Sequence, residues 1–181
     1  LYIGLVGILK IGAIAQPLFS AFGDESLFVR LENAGTSAII TTRKHVSKVR
    51  KIIGRLPNLK HIIIVDHDGK KELKERETAL SMESYRVEDF DIYPAKAESP
   101  SLLHYTSGTT GLPKGVQHVH YSLISQYLTA KWVLDIREQD IYWCTADPGW
   151  VTGTSYGIIA PLTHGVTSIV DEGEFDVMVA K

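Results

Sequence analysis

The sequence predicts an α/β fold with mostly parallel sheet layers covered by helices. Three observations carry that expectation. Segments with helix period alternate repeatedly with short strand-like apolar runs, the pattern of strand–helix–strand units. Several of those runs, among them residues 13–18 and 141–146, are apolar enough to read as buried strands. The 181 residues are also enough to bury a core, because a chain of this size hides roughly 68–70% of its unfolded surface.

Residues 1–11 carry an apolar, helix-compatible pattern that stops at Gly12, and "AIAQPL" (13–18) follows as a buried strand. Gly23 and Asp24 start a helix in which Leu27, Phe28, Leu31 and Ala34 share a face, closed by Gly35. "SAIITT" (37–42) is the next strand. Residues 43–56 then set Val46, Val49, Ile52, Ile53 and Leu56 on one helical stripe, ended by Pro57-Asn58. "HIIIVD" (61–66) is a third strand, turned by His67, Asp68 and Gly69. Residues 70–98 change character. The run "KKELKERET" reads as a solvated helix face or loop, and "AKAESP" as a polar connector, which puts a boundary near residue 97. Two α/β units are therefore expected, 1–97 and 98–181.

The second unit resumes with the strand "SLLHY" (101–105), a Gly-rich loop and a returning strand "GVQHVH" (115–120). Tyr121 opens a helix with Leu123, Ile124, Tyr127, Leu128 and Trp132 expected on one side. "IYWCTA" (141–146) reads as a buried strand. After "DPGWVTGTSYG" an apolar helix runs to about Leu162, followed by Gly165 and the strand "VTSIV" (166–170).

A formal net charge of −2 supplies no field for nucleic acid or an anionic membrane. A single cysteine, Cys144, excludes an internal disulfide and fits a reducing, cytoplasmic setting. The apolar start lacks a basic leader region and Lys10 interrupts it, so neither a signal peptide nor a membrane span is expected. The chain opens at Leu1 inside an apolar periodic pattern and closes soon after a fresh strand, and so reads as a piece of a longer polypeptide.

The loop "YTSGTTGLPKG" (105–115) carries the chemistry. Gly108, Gly111 and Gly115 let the backbone come close to a ligand, and consecutive N–H groups in such a turn form an anion-binding concavity. Thr106, Ser107, Thr109 and Thr110 add hydroxyl donors suited to phosphate oxygens, and Lys114 adds a positive charge on a flexible stem. A polyphosphate matches this set; a ligand-free hydroxyl-rich hairpin loop is the plainer alternative. The Walker A pattern G-x-x-x-x-G-K-S/T fails, since Pro113 and Gly115 occupy two of its positions and the loop returns to a strand. His118 and His120 share a strand face near His104, but no cysteine or carboxylate joins them at zinc-ligand spacing, so no metal site is expected. Ser107 lacks a nucleophile elbow, and Cys144 reads as a core residue.

The loop at 106–115 resembles the signature of the adenylate-forming superfamily. The stretch "TADPGWVTGTSYGIIAPL" (145–162) is similar to the acetyl-CoA synthetase branch, through Asp147, Gly149 to Gly153 and Ser155 to Gly157. The resemblance covers most of the chain, weakly over 67–98, and departs at Thr154, where many acetyl-CoA synthetases carry His. It implies part of a large N-terminal domain and a two-step reaction. A small carboxylic acid reacts with Mg-ATP to give acyl-AMP and pyrophosphate, and CoA then takes the acyl group. It further implies that Thr106, Ser107, Gly108, Thr109, Thr110, Gly111 and Lys114 bind the phosphates, with Lys114 acting on the leaving pyrophosphate. Trp150, Val151 and Thr152 are implied to line the acid pocket and the entry of the CoA arm, with Thr152 the CoA contact; without the resemblance Trp150 reads as a plug on a sheet. The family's adenine and ribose motif and its C-terminal lysine domain are absent from these residues, so the chain alone is expected to be inactive. A ligase for a longer or aromatic acid, and a non-catalytic nucleotide-binding or scaffold module, stand as alternatives.

Overall fold

A parallel three-stranded sheet in the order β1 (Ala38–Thr41), β2 (His61–Ile64), β3 (Glu77–Ala79) is flanked in sequence by the helices α2 (Asp24–Asn33) and α3 (Val46–Ile52), the latter extended by a 3₁₀ turn at Ile53–Arg55. It belongs to a computed structural model that describes residues 1–70, 72–80, 90–106 and 111–171. Contacts divide the chain into two compact units. One gathers Leu1–Phe19, Tyr93–His104 and Gln117–Lys181, and the other holds Ser20–Ile92 and Tyr105–Val116. This grouping follows packing, whereas the expected division at residue 97 follows chain order.

In the unit around Ser20–Ile92, the predicted stripes become core. Leu27 and Leu31 of α2, Val46, Val49 and Ile52 of α3, and Ile62 and Ile64 of β2 are all buried. Alternate β2 residues are the most buried, as expected of a strand whose neighbours lie on both sides. The charge run behaves differently from expectation. Glu77 and Thr78 stand in β3, paired in parallel register with Ile62 and Ile63. The strand survives its charge because Glu77 is buried against Arg50, whose Nε and Nη2 donate to its two carboxylate oxygens at 2.7 and 2.8 Å. The Lys74 amide adds a third donor at 2.9 Å.

The other unit contains α1 (Tyr2–Lys10), the part of β4 (Pro100–Thr106) up to His104, the part of β5 (Lys114–Val119) from Gln117, α4 (Ser122–Val133), β6 (Ile141–Tyr142), α5 (Val151–Thr154), α6 (Ala160–His164) and β7 (Thr167–Ser168). Leu5, Ala15, Leu102, Ile158 and Ile159 form one core cluster, and Ala130, Ile136, Ala160 and Val166 a second. β4 and β5 are hydrogen-bonded neighbours, and β6 pairs with β7 in parallel.

Three sequence expectations are corrected here. "AIAQPL" makes only a single parallel bridge, Ala15 to Leu102, because Pro17 has no N–H with which to continue a ladder. "IYWCTA" forms strand only at Ile141 and Tyr142, where β7 offers partners, and Ile141 is exposed rather than buried. In α4 the buried residues are Gln126 and Ala130, one turn apart, while Ile124 and Trp132 face solvent. A helix with apolar residues around most of its circumference does not announce its inward side by period alone.

From Val151 to His164 the helix is one piece, with α5 and α6 joined by a π-helical turn at Ser155–Ile159. Pro161 has no N–H to give the Gly157 carbonyl four residues before it. The Tyr2 hydroxyl donates to that carbonyl instead, at 3.2 Å. The local loosening is thereby satisfied from α1. Among the described residues no helix is long and apolar enough to cross a membrane.

Candidate functional site

The Gly-rich loop hangs between the ends of β4 and β5. Thr106 closes β4 and Lys114 opens β5, and both are exposed. Ser107, Gly108, Thr109 and Thr110 lie outside the described residues. Gly111 has φ of +84°, a conformation that suits glycine, and Pro113 precedes the lysine. The pair reverses direction: His120 N–H donates to Ser99 C=O at 2.9 Å and Ser101 Oγ to His118 C=O at 3.3 Å, the antiparallel sense. Among the described residues the loop is flanked by two strands, and no helix follows it as one follows a Walker A loop.

In the other unit, Asp147 to Thr154 forms a tight turn into α5. Asp147 Oδ1 accepts from Gly149 N–H at 2.7 Å, its carbonyl accepts from Trp150 N–H at 2.9 Å, and Thr154 Oγ1 donates to Pro148 C=O at 2.6 Å. Thr154, at the position where the resemblance departs, is fully buried and closes this turn. A side chain on Gly153 would overlap the Asp147 carbonyl, and one on Gly149 would overlap the Phe19 backbone. Gly153→Ala is therefore expected to lower unfolding free energy by about 1–3 kcal/mol, because backbone rather than a pliable side chain must move. Denaturant unfolding measures this, and an unchanged midpoint would contradict the close approach.

Trp150, Val151 and Thr152 stand at the start of α5 and are about half exposed or more. The Trp150 ring lies against Phe19, with centroids 5.7 Å apart. Val151 and Thr152, together with Ser155 and Tyr156 on the next turn, form one wall of a cavity of about 270 Å³. Ser122, Ser125 and Gln126 of α4 form the facing wall, and His118 completes it. Gln126 Nε2 donates to Ser155 Oγ at 3.1 Å across the cavity's base. Gln126 Oε1 and Ser122 Oγ are buried without a hydrogen-bond partner among the described residues. The sequence reading missed the α4 wall, since it looked for the apolar side of that helix; a glutamine and two serines spaced three and four apart were the available signal.

His104 and His118 meet edge to face, 5.6 Å between ring centroids. Burial, and to a lesser degree the neighbouring His118, pushes His104 down to about 4. Among the described residues no three potential metal ligands converge. A larger cavity of about 340 Å³ lies in the other unit, beside Arg43 and Arg50. Arg50 is committed to Glu77 and Arg43 to Asp66 and Asp68, which leaves Lys44 as the basic side chain of the lining outside those pairs, and among the described residues no motif residue lines it.

A family model described as AMP-binding enzyme matches residues 1–180. Over 97% of its length the chain is 46% identical to an acetyl-coenzyme A synthetase of Bacillus subtilis, of which it covers 30%. It is 35% identical, over 92% of its length, to the acetyl-coenzyme A synthetase of Pyrobaculum arsenaticum, covering 27% of it. Among solved structures, a Brucella canis acyl-CoA synthetase superposes with a TM-score of 0.84 at 28% identity, over 97% of this chain and 31% of that one. An anthranilate CoA ligase in complex with anthranoyl-AMP superposes at 0.78 and 27% identity, over 93% of this chain and 32% of that one. The mixture of helices and parallel sheets matches these synthetases, and the chain spans about 30% of the Bacillus relative's length.

Proposed function

The chain belongs to the AMP-binding enzyme family, and from that premise we propose that it is part of an ATP-dependent acid–CoA ligase that activates a short carboxylic acid. The observation that carries the reading is the loop at 105–115, held between two strands with Thr106 and Lys114 exposed at its two ends. A carboxylate oxygen bonds to the α-phosphorus of ATP as the bond to pyrophosphate breaks. The CoA sulfur then bonds to the acyl carbon as AMP leaves with the bonding pair. Mg2+ enters with the nucleotide as part of that substrate.

The first step needs charge stabilisation and alignment more than covalent help from the protein. Lys114 supplies a cation that follows the departing pyrophosphate. Thr106, Ser107, Thr109 and Thr110 donate hydroxyls, while Gly108 and Gly111 let backbone N–H groups approach the phosphates. The exposure of Lys114 fits this role, since no acidic side chain among the described residues forms an ion pair with it. The cavity beside Val151 and Thr152 is assigned to the acyl end of the acid. Thr152 is placed at the CoA entry and Trp150 at its rim. The same reading places the parent protein in the cytoplasm and divides the chain functionally at about residue 97.

In the full-length protein, Lys114→Ala is expected to slow acid-dependent exchange of pyrophosphate into ATP by about tenfold, the scale of one charged hydrogen bond. Exchange at the wild-type rate would remove Lys114 from the phosphate site.

A further inference from the structure

We propose that Gln126 sets the acyl chain length, a role that rests on assigning the cavity beside Val151 and Thr152 to the acyl group. Gln126 is 9% exposed, so its carboxamide is fixed within the packed interior of its unit. Its Nε2 donates to Ser155 Oγ, a group on the π-helical turn of the opposite wall, and this bond ties the amide across the cavity. A carboxamide clamped in this way cannot swing aside to admit a longer chain without breaking that bond. Its Oε1 is buried as well, so both ends of the amide are held inside the packing rather than in open solvent.

The floor is therefore a steric stop, held in place by the bond to Ser155. Val151 on the facing wall is apolar and leaves the first carbons of the acid a favourable contact. A short acid fits this arrangement, whereas each further methylene must displace the amide. A single methylene in a shaped pocket is worth roughly tenfold or more in kcat/KM, so the effect is measurable.

The test compares kcat/KM for acetate, propionate and butyrate in the full-length enzyme. Gln126→Ala, which removes the floor, is expected to raise the butyrate-to-acetate ratio about tenfold or more while leaving KM for ATP unchanged. Ser155→Ala keeps the amide but cuts its clamp, and is expected to move the ratio the same way by a smaller factor. Because the readout is a ratio between acids, a general loss of folded enzyme does not mimic it. An unchanged ratio in Gln126→Ala overturns the proposal; where that variant does not fold, an unchanged ratio in Ser155→Ala does so. Val151→Ala separates the two levels of the argument. If it shifts the chain-length profile and the Gln126 and Ser155 variants do not, the cavity is the acyl site and Gln126 is not its gauge. If none of the three shifts it, the acyl assignment of the cavity itself fails.

Discussion

Arg50→Ala is expected to lower the unfolding free energy of the chain by about 3–5 kcal/mol at neutral pH, the scale of a buried pair that loses one partner. The asymmetry of the pair explains the size. The Glu77 side chain is 1% exposed while that of Arg50 is 34% exposed. Removing the arginine leaves the Glu77 carboxylate with the Lys74 amide as its remaining donor among the described residues, in place of the two bonds it accepted from the guanidinium. Removing Glu77 instead leaves a cation with access to solvent, so Glu77→Leu is expected to cost less. Hydrogen bonds from Arg50 hold the Glu77 carboxyl below its usual range, against the opposing pull of burial. That contribution is present above the carboxyl's unfolded value and fades as pH falls. The deficit of Arg50→Ala accordingly shrinks in acid, where Glu77 takes up a proton in both proteins. Denaturant titrations at two pH values measure both features, and a deficit below 1 kcal/mol at neutral pH would show that β3 does not depend on the pair.

Acid is expected to weaken the fold in a second place. His104 is 5% exposed, and its Nε2 is buried without a partner among the described residues. Burial and then His118 depress it to about 4, against an ordinary value of 6.5. The unfolded chain binds a proton between those values while the native ring does not. Stability from this group is therefore complete above pH 6.5 and falls by about 1.4 kcal/mol per unit as pH drops toward 4, about 3 kcal/mol in all. His45 is also held down by burial and by Lys48 and Lys44, and acts with the same sign. Comparison with His104→Gln isolates the buried ring: the variant's unfolding free energy should be flatter between pH 6.5 and 4. Equal slopes in the two proteins would dismiss His104 as the source.

The sequence was legible where local chemistry decided the outcome. Gly12, Gly35 and Gly165 follow the ends of α1, α2 and α6, and all three adopt the positive φ that a helix-ending glycine supplies. The stripe Val46, Val49 and Ile52 reached the core because an amphipathic helix has one answer to where it packs. The loop at 105–115 was recognisable because its order of residues resembles a family signature, and the model of that family matches residues 1–180.

Legibility failed where a long-range partner decided. β3 carries Glu77, whose partner Arg50 lies 27 positions away and leaves no periodic trace. The α4 wall faces Ser155, 29 positions from Gln126, and the spacing of Ser122, Ser125 and Gln126 marks a polar side of α4 without naming that neighbour. The strand expected at 13–18 ends after one bridge, because Pro17 interrupts an otherwise apolar segment and cannot donate to a ladder.

The hydrogen bond from Tyr2 to Gly157 has a kinetic consequence. It joins residues 155 positions apart, and Leu5 shares a core cluster with Ile158 and Ile159. These contacts span a long stretch of chain: α1 cannot complete its cluster until the ribosome has delivered the π-helical turn. The residues of β1 to β3, drawn from Ala38–Ala79, are all delivered well before that. Synthesis thus leaves an interval in which the sheet's residues are all present while α1 still lacks Ile158 and Ile159, and exposed apolar surface of that kind is what a chaperone protects.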